Sequence, residues 1–302
     1  MNFTAKDVSD LRAQTGIGMM ECKKALTEAN GDMEEAVKIL REKGLAVAAK
    51  KAGRIAAEGK VAIKSAGDKT AVIEVNCETD FAAKTDKFVE FTDKLLDLVL
   101  STGVADVEAL LAAKFDAENT VDDYLKKEVI NSIGENISIR RFQVVEGLNA
   151  SYVHGGGTIG VIVTGETAGD AENAKEVLKN LALQAAAMNP KYLDRDSVPA
   201  SVIEAEKEIV LAQIKNDEKN ANKPEAVLEK MVVGKVAKYY TENCLMEQEY
   251  VKGDKETVAK YVAGADKDLK VTGFIRFEKG EGIEKKEEDY AAEVAKLAGG
   301  NN

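Results

Sequence analysis

The sequence predicts an α+β protein made of several small segments, on the strength of three observations. The 302 residues include only 3 prolines and are rich in Ala, Glu and Lys, a composition that favours helices. Short alternating apolar segments flank glycine turns, as in antiparallel hairpins. Residues 58–79 also recur in weaker form at 146–167, which predicts two related αβ core subdomains. The length suffices for two compact cores at about 150 residues per domain.

The N-terminal residues 4–52 are predicted to form three short helices. Thr4 and Asp7 resemble a capping box, and Asp32 is placed to cap the third helix. The layout resembles a ubiquitin-associated-type domain. Because so small a bundle has a marginal core, we expect it to pack against another surface.

The first core subdomain is predicted to contain a hairpin followed by three helices. The hairpin turns at Gly67-Asp68, a favoured turn dipeptide. Its strands and helices are expected at 60–65, 71–76, 86–100, 106–115 and 120–133. The internal repeat then predicts a second copy, with strands at 139–145 and 159–163 and a helix at 171–188.

Residues 198–242 depart from this αβ pattern. Two apolar stripes at helical spacing flank the polar segment 215–224, which indicates an antiparallel coiled-coil hairpin. A strand at 271–278 and an amphipathic helix at 287–297 are expected to follow. The expected organisation is an N-terminal three-helix module (1–55), core subdomain 1 (56–142), core subdomain 2 (143–280, with the coiled coil inserted at about 197–243) and a C-terminal helical module (281–302).

Composition excludes several classes of function. A net charge of -11 argues against direct DNA binding, because phosphates require Lys and Arg. The apolar runs fall short of the ~20 residues that a membrane helix needs. The three cysteines are far apart in the sequence, and we expect neither a disulfide framework nor a metal site. With no signal-peptide pattern at the N-terminus, the expected location is the cytoplasm.

The glycine segment after His154 resembles two catalytic motifs without completing either. His154-Gly155-Gly156-Gly157 resembles the oxyanion hole of lipases, but the chain lacks a G-x-S-x-G nucleophile elbow and has only this one histidine. The spacing of Gly155, Gly157 and Gly160 matches a dinucleotide fingerprint, but a strand rather than a helix is predicted to follow. We therefore interpret the segment as a glycine hairpin.

The corner after the strand 71–76 is the second candidate for chemistry. Glu78 and Asp80 could act as an acid/base pair, although Thr79 and Asp80 also suit the start of a helix. Phe81 is unusual at such a corner. From the residues alone, a ring buried in its own core is favoured over a ring offered to a partner.

Five separated segments together resemble a known family. They read LRxxTGxGMMxCKKAL at 11–26, EVNCETDF at 74–81, IGENI at 133–137, SYVHG at 151–155 and TGFIRF at 272–277. They occur in order along nearly the whole chain and are similar to segments of bacterial elongation factor Ts. The family usually has Val after Asp-Phe, whereas this chain has Ala82, which could soften the contact beside Phe81.

The resemblance implies a guanine-nucleotide exchange factor for the GTPase elongation factor Tu, and not an enzyme that makes or breaks bonds. It implies that Thr79, Asp80, Phe81 and Ala82 bind the partner and dislodge its Mg²⁺. It also implies that the partner is bound by Arg12, Met19, Met20, Lys23 and His154. No cofactor is expected, and the assembly could be a homodimer or a heterotetramer with two copies of each chain.

Two alternatives remain open from the sequence. The N-terminal bundle could make the protein a helical adaptor that binds a ribosomal or ubiquitin-like surface without exchange activity. An αβ-hydrolase is the other alternative, against which the missing elbow and the single histidine argue. His154 could also be a simple turn residue.

Overall fold

The computed structural model describes residues 3–15, 17–220 and 223–284, and it confirms a mixed architecture of helices and antiparallel sheets. One three-stranded sheet has the order β1-β2-β3 and the other the order β4-β5-β6. The strands are β1 (Glu58–Ala66), β2 (Lys69–Cys77), β3 (Ser138–Glu146), β4 (Asn149–His154), β5 (Ile159–Thr167) and β6 (Leu269–Glu278).

The helices lie mainly where the sequence pattern places them. They are α1 (Ala5–Thr15), α2 (Met19–Glu28), α3 (Met33–Lys51), α4 (Asp86–Thr102), α5 (Val107–Ala112), α6 (Val121–Tyr124), α7 (Ile130–Ile133), α8 (Ala171–Met188), α9 (Ala200–Asn216), α10 (Glu225–Asn243) and α11 (Val258–Ala265). The single helix expected at 120–133 is instead α6 and α7 joined by a π-helical turn, Leu125–Val129. The helix expected at 287–297 falls outside the described residues.

The chain divides into two compact units. Among the described residues, unit 1 comprises 3–15, 17–64, 71–144 and 278–284, and unit 2 comprises 65–70, 145–220 and 223–277. Most of β1 and β2 belongs to unit 1, as does the long helix α4, whereas β4, β5 and the long helix α8 belong to unit 2. The finer organisation into four segments stays a prediction.

Side-chain capping hydrogen bonds mark where the N-terminal helices of unit 1 begin. The Asp32 carboxylate accepts a hydrogen bond from the Glu35 backbone N–H (2.9 Å), which is the predicted cap. At the first helix, the Thr4 backbone N–H donates to the Asp7 carboxylate (2.6 Å). A small apolar cluster fills the space between α1, α2 and α3. Its most buried members are Leu11, Cys22, Ala25, Leu26 and Ala36.

The larger core of unit 1 lies between the first sheet and α4. Strand β2 is buried from Thr70 to Cys77, so both of its faces are covered. Helix α4 supplies the largest buried side chains of this core, among them Phe88, Phe91, Leu95 and Leu96. A Thr85 cap at the first turn fixes where α4 begins, because its hydroxyl accepts from the Phe88 backbone N–H.

A buried carboxylate joins β2 to β3 and to the segment that follows β6. Glu74 is 0% exposed. Its oxygens accept hydrogen bonds from Arg140 Nη1 (3.0 Å), Arg141 Nε (2.6 Å) and the Gly280 backbone N–H (2.8 Å). Burial alone would raise the pKa of Glu74, but these donors outweigh it and hold the pKa below its ordinary value of 4.5. The charge is therefore kept and fully paired within unit 1.

Helix α3 packs closely on the π-helical turn because position 44 is glycine. A Cβ added at Gly44 would lie 2.8 Å from the Lys127 backbone oxygen and 3.1 Å from Asn131 Nδ2. Glycine inside a helix costs roughly 0.5–1 kcal/mol relative to alanine. The close approach of the two backbones therefore accounts for a residue that helix propensity disfavours.

We expect Gly44→Ala to lower the free energy of unfolding by about 1–3 kcal/mol, because the added methyl group meets backbone atoms. The matched variant Gly234→Ala lies within α10 and meets nothing within 4 Å. It should raise the free energy of unfolding by roughly 0.5–1 kcal/mol. Urea unfolding followed by circular dichroism measures both, and a stabilised Gly44→Ala variant would refute the packing assignment.

Unit 2 combines the second sheet with α8 and a helical hairpin. Strands β4 and β5 pair antiparallel, with His154 opposite Ile159. Helix α8 buries Val177, Leu178 and Leu181 in the core of this unit. Helices α9 and α10 form the predicted hairpin, and Val198, Ile203, Val236 and Cys244 cluster where they pack. In the part of the chain that the structure describes, no helix is both long and apolar enough to cross a membrane.

Candidate functional site

The clearest candidate site is the corner formed by residues 78–82, which we call the Phe81 corner. It links the buried strand β2 to the short helical turn that precedes α4. The Phe81 ring is 78% exposed, the highest value among the large apolar side chains of the described residues. The expectation from the residues alone, a ring buried in its own core, was wrong. Aromatic side chains are enriched where proteins contact each other, so a ring as exposed as this one suits a contact surface.

Thr79 fixes the backbone of this corner. Its backbone N–H donates to Glu135 Oε2 (2.9 Å), and its hydroxyl donates to Glu135 Oε1 (2.6 Å). The Thr79 hydroxyl also accepts from the Ala82 backbone N–H (3.2 Å). On the other side, the Cys77 thiol donates to the Thr79 backbone oxygen (3.0 Å). The exposed ring therefore stands on a backbone that is held from several sides.

Each of the two carboxylates of the corner, Glu78 and Asp80, pairs with a basic side chain. Asp80 pairs with Lys84 Nζ at 2.6 Å, and this hydrogen bond holds the pKa of Asp80 below its ordinary value. Lys84 Nζ also lies 5.7 Å from the centroid of the Phe81 ring. Glu78 accepts from the Asn136 backbone N–H (2.6 Å) and pairs with Arg54 (3.4 Å). Each carboxylate has its own structural partners, so the geometry gives no support to an acid/base pair.

Ala82 is placed differently from its three neighbours in the expected site. Its side chain is 3% exposed and belongs to the core that α4 and β2 share. The expectation that Ala82 touches the contact surface beside Phe81 is therefore corrected.

The expected N-terminal contact residues lie on α1 and α2. Arg12 is exposed in the last turn of α1, and Lys23 is exposed on α2. Met19 and Met20 are 50% and 66% exposed. Flexible thioethers beside cationic groups suit an adaptable protein contact.

His154 ends β4 in unit 2, whereas the other candidate residues belong to unit 1. Its ring is exposed, and its Nδ1 lies 3.0 Å from the Tyr152 hydroxyl. The three following glycines have φ angles of 59°, 66° and 109°, a region that other residues rarely adopt. The Gly157 and Thr158 backbone N–H groups donate back to the His154 oxygen. The segment is the glycine hairpin expected from the sequence, not a dinucleotide loop.

Sequence reasoning did not identify Glu135 and Asn136 as part of the site. They lie 56 residues or more along the chain from the corner residues they contact. No spacing rule links positions so far apart, and the segment 133–137 contributed only to the family resemblance. Among the described residues, no group of three or more His, Cys, Asp or Glu side chains is arranged to hold a metal ion.

Comparisons with known proteins place this geometry in context. Residues 78–281 match the family model described as elongation factor TS. A protein named elongation factor Ts from Clostridium perfringens is 48% identical over 306 residues, covering 98% of this chain and 99% of the relative. Proteins of the same name from Clostridium botulinum and Clostridium kluyveri are each 49% identical. Those alignments cover 98% and 97% of this chain, and 99% and 98% of the relatives.

Proposed function

Because this chain belongs to the elongation factor Ts family and is therefore a translation elongation factor, we propose that it accelerates release of GDP from elongation factor Tu by using Phe81 to displace Mg²⁺. One observation carries the proposal: the Phe81 ring is 78% exposed on a rigidly held corner. The proposed site of action is the cytoplasm, where translation occurs. No bond is made or broken in either chain.

The partner's nucleotide site determines what the exchange factor must do. GTPases hold GDP with P-loop amides, a lysine and a Mg²⁺ ion that bridges to phosphate. The ion is a large local charge, so moving it weakens nucleotide binding strongly. Each ~1.4 kcal/mol lost from that binding reduces affinity about tenfold. An apolar ring inserted between partner helices near the ion would supply this perturbation.

Thermodynamic linkage fixes the direction of the effect. A factor that weakens GDP binding must itself bind nucleotide-free partner more tightly than GDP-bound partner, by the same ratio. Burying Phe81 in the opened partner contributes roughly 1.5–3 kcal/mol toward that preference. The favourable contact must therefore form only when the nucleotide site opens.

The other candidate residues take supporting roles. Thr79 and Ala82 hold the corner from its backbone and from its core, and Asp80 with Lys84 presents a charged pair beside the ring. Arg12, Met19, Met20 and Lys23 would bind the GTP-binding domain of the partner. His154 would add a contact from unit 2.

The proposal is tested by measuring GDP release from elongation factor Tu with and without this chain. A fluorescent GDP analogue preloaded on the partner is displaced by excess unlabelled GDP in a stopped-flow instrument. We expect release to be much faster when the chain is present. Unchanged release, together with binding to ribosomes, would instead favour the helical adaptor.

The α9–α10 hairpin is proposed to control assembly rather than exchange. It leaves Ile209, Val227 and Val233 exposed, so it offers apolar contacts to a second copy of the chain or to the partner. A homodimer, or a heterotetramer with two copies of each chain, would use this surface.

We expect that replacing residues 205–238 by a short glycine linker leaves GDP release accelerated, because the Phe81 corner lies in unit 1. The same deletion should yield a smaller assembly in sedimentation, either alone or with the partner. The same number of chains per particle for both proteins, alone and with the partner, would refute the role in assembly.

A further inference from the structure

We propose that Glu135 is a positioning residue that sets the orientation of the Phe81 ring by holding the backbone of the Phe81 corner. This inference rests on the proposed function and extends it to a residue outside the corner. Glu135 lies between α7 and β3, within residues 134–136, which we call the 134–136 loop. It does not need to touch the partner to affect exchange.

The contact between Glu135 and Thr79 uses both oxygens of the carboxylate. One accepts the Thr79 backbone N–H at 2.9 Å and the other accepts the Thr79 hydroxyl at 2.6 Å. Among the side chains, only an ionised carboxylate offers two equivalent acceptor oxygens in one plane. Glutamine at 135 keeps one acceptor oxygen for the Thr79 backbone N–H, but its neutral NH₂ group would have to donate to the Thr79 hydroxyl, so the charge-assisted hydrogen bonds to the carboxylate are lost.

The 134–136 loop is itself attached to the end of α3. Lys51 Nζ donates to the Gly134 backbone oxygen, and Asn136 Nδ2 donates to the Arg54 backbone oxygen (2.7 Å). The Asn136 backbone N–H donates to Glu78 (2.6 Å). The loop therefore links the C-terminal end of α3 to the first residues of the Phe81 corner.

The ring has little else to orient it. Phe81 is 78% exposed, and the Lys84 ammonium lies 5.7 Å from the centroid of its ring. A mobile ring would lose conformational entropy on entering the partner, whereas a ring held in one orientation would lose less. Glu135 reduces that loss because it restrains the backbone from which the ring projects.

We expect Glu135→Gln to reduce the acceleration of GDP release about tenfold, as a hydrogen bond to a charged group is lost. Thr79→Val should behave in the same way, and Thr79→Ser, which keeps the hydroxyl, should restore most of the wild-type rate. Glu108→Gln is the matched control, because Glu108 is exposed on α5 and far along the chain from the corner. Full acceleration by both Glu135→Gln and Thr79→Val would overturn the proposal.

A double variant separates positioning from general loss of structure. If Glu135 acts through the ring, adding Glu135→Gln to Phe81→Ala should cause no further loss of acceleration. If Glu135→Gln reduces the acceleration of GDP release equally in wild type and in Phe81→Ala, Glu135 does not act through the ring. Circular dichroism of each variant provides the control for folding.

A measurement without the partner keeps this inference distinct from the proposed function. The full chain is labelled with 4-fluorophenylalanine, and Phe81→Leu assigns the ¹⁹F signal of position 81. In Glu135→Gln we expect that signal to narrow and to move toward its position in the unfolded chain. A signal identical to wild type would overturn the proposal, whereas a wild-type chain that fails to accelerate GDP release would overturn only the proposed function.

Discussion

Phe81→Ala is expected to slow GDP release in the presence of the chain by about 10- to 100-fold relative to wild type, since the variant lacks roughly 1.5–3 kcal/mol of apolar burial in the opened partner. The ring is 78% exposed, so its removal leaves no cavity in the chain itself. The free energy of unfolding should therefore stay within about 0.5 kcal/mol of wild type.

Stopped-flow release of a fluorescent GDP analogue measures the effect on exchange, and urea unfolding measures the effect on stability. Val251→Ala is the matched control, because Val251 is an exposed apolar side chain in unit 2. We expect that control to behave as wild type in both assays. Wild-type acceleration by Phe81→Ala would remove the ring from the mechanism.

Glu74→Gln is expected to cause the largest loss of stability, about 2–3 kcal/mol at pH 7, because a neutral amide would replace the fully buried carboxylate that half-buried Arg140 and Arg141 share. Glu74 is fully buried and also accepts from the Gly280 backbone N–H. Urea unfolding of the full chain measures the loss. The exposed substitution Glu108→Gln should change the free energy of unfolding by less than about 0.5 kcal/mol.

The stability lost in Glu74→Gln should become smaller as the pH falls. The pKa of Glu74 in the folded chain is below its ordinary value of 4.5, so the unfolded chain binds the proton more readily. The stabilising contribution is therefore complete above about pH 5 and declines as the pH falls through 4.5 and then through the lower folded pKa. The difference in the free energy of unfolding between wild type and Glu74→Gln should shrink over that range. A difference that stays constant down to about pH 3 would contradict the assignment of Glu74 as a paired carboxylate.

The sequence predicted those elements whose pattern is local. Helices α1, α2, α3, α4 and α8, and the hairpin of α9 and α10, have caps, turns or apolar spacing that identify them without tertiary information. Strand β4 was missed although Leu148, Ala150 and Tyr152 alternate with polar residues and pack on the core of unit 2, because the alternation is short and these side chains are only half-buried. Helix α11 was missed because eight residues with an internal glycine carry a weak helical signal.

The site could be predicted only in part for the same reason. The residues of the Phe81 corner could be singled out because they are consecutive, but whether the ring points inward or outward depends on the packing of Ala82 and Ala83. Glu135 and the Gly280 backbone reach Thr79 and Glu74 from 56 and 206 residues away. Contacts between residues so far apart in the sequence form only when the chain folds, and no local sequence pattern predicts them.

The most direct test of Mg²⁺ displacement is the acceleration of GDP release from elongation factor Tu, measured once with saturating Mg²⁺ and once with excess chelator. If the Phe81 ring acts by moving the ion, wild type should accelerate release far more with Mg²⁺ than without it, and Phe81→Ala should lose most of that difference. An acceleration that is equally large with and without Mg²⁺ would contradict displacement of the ion as the mechanism.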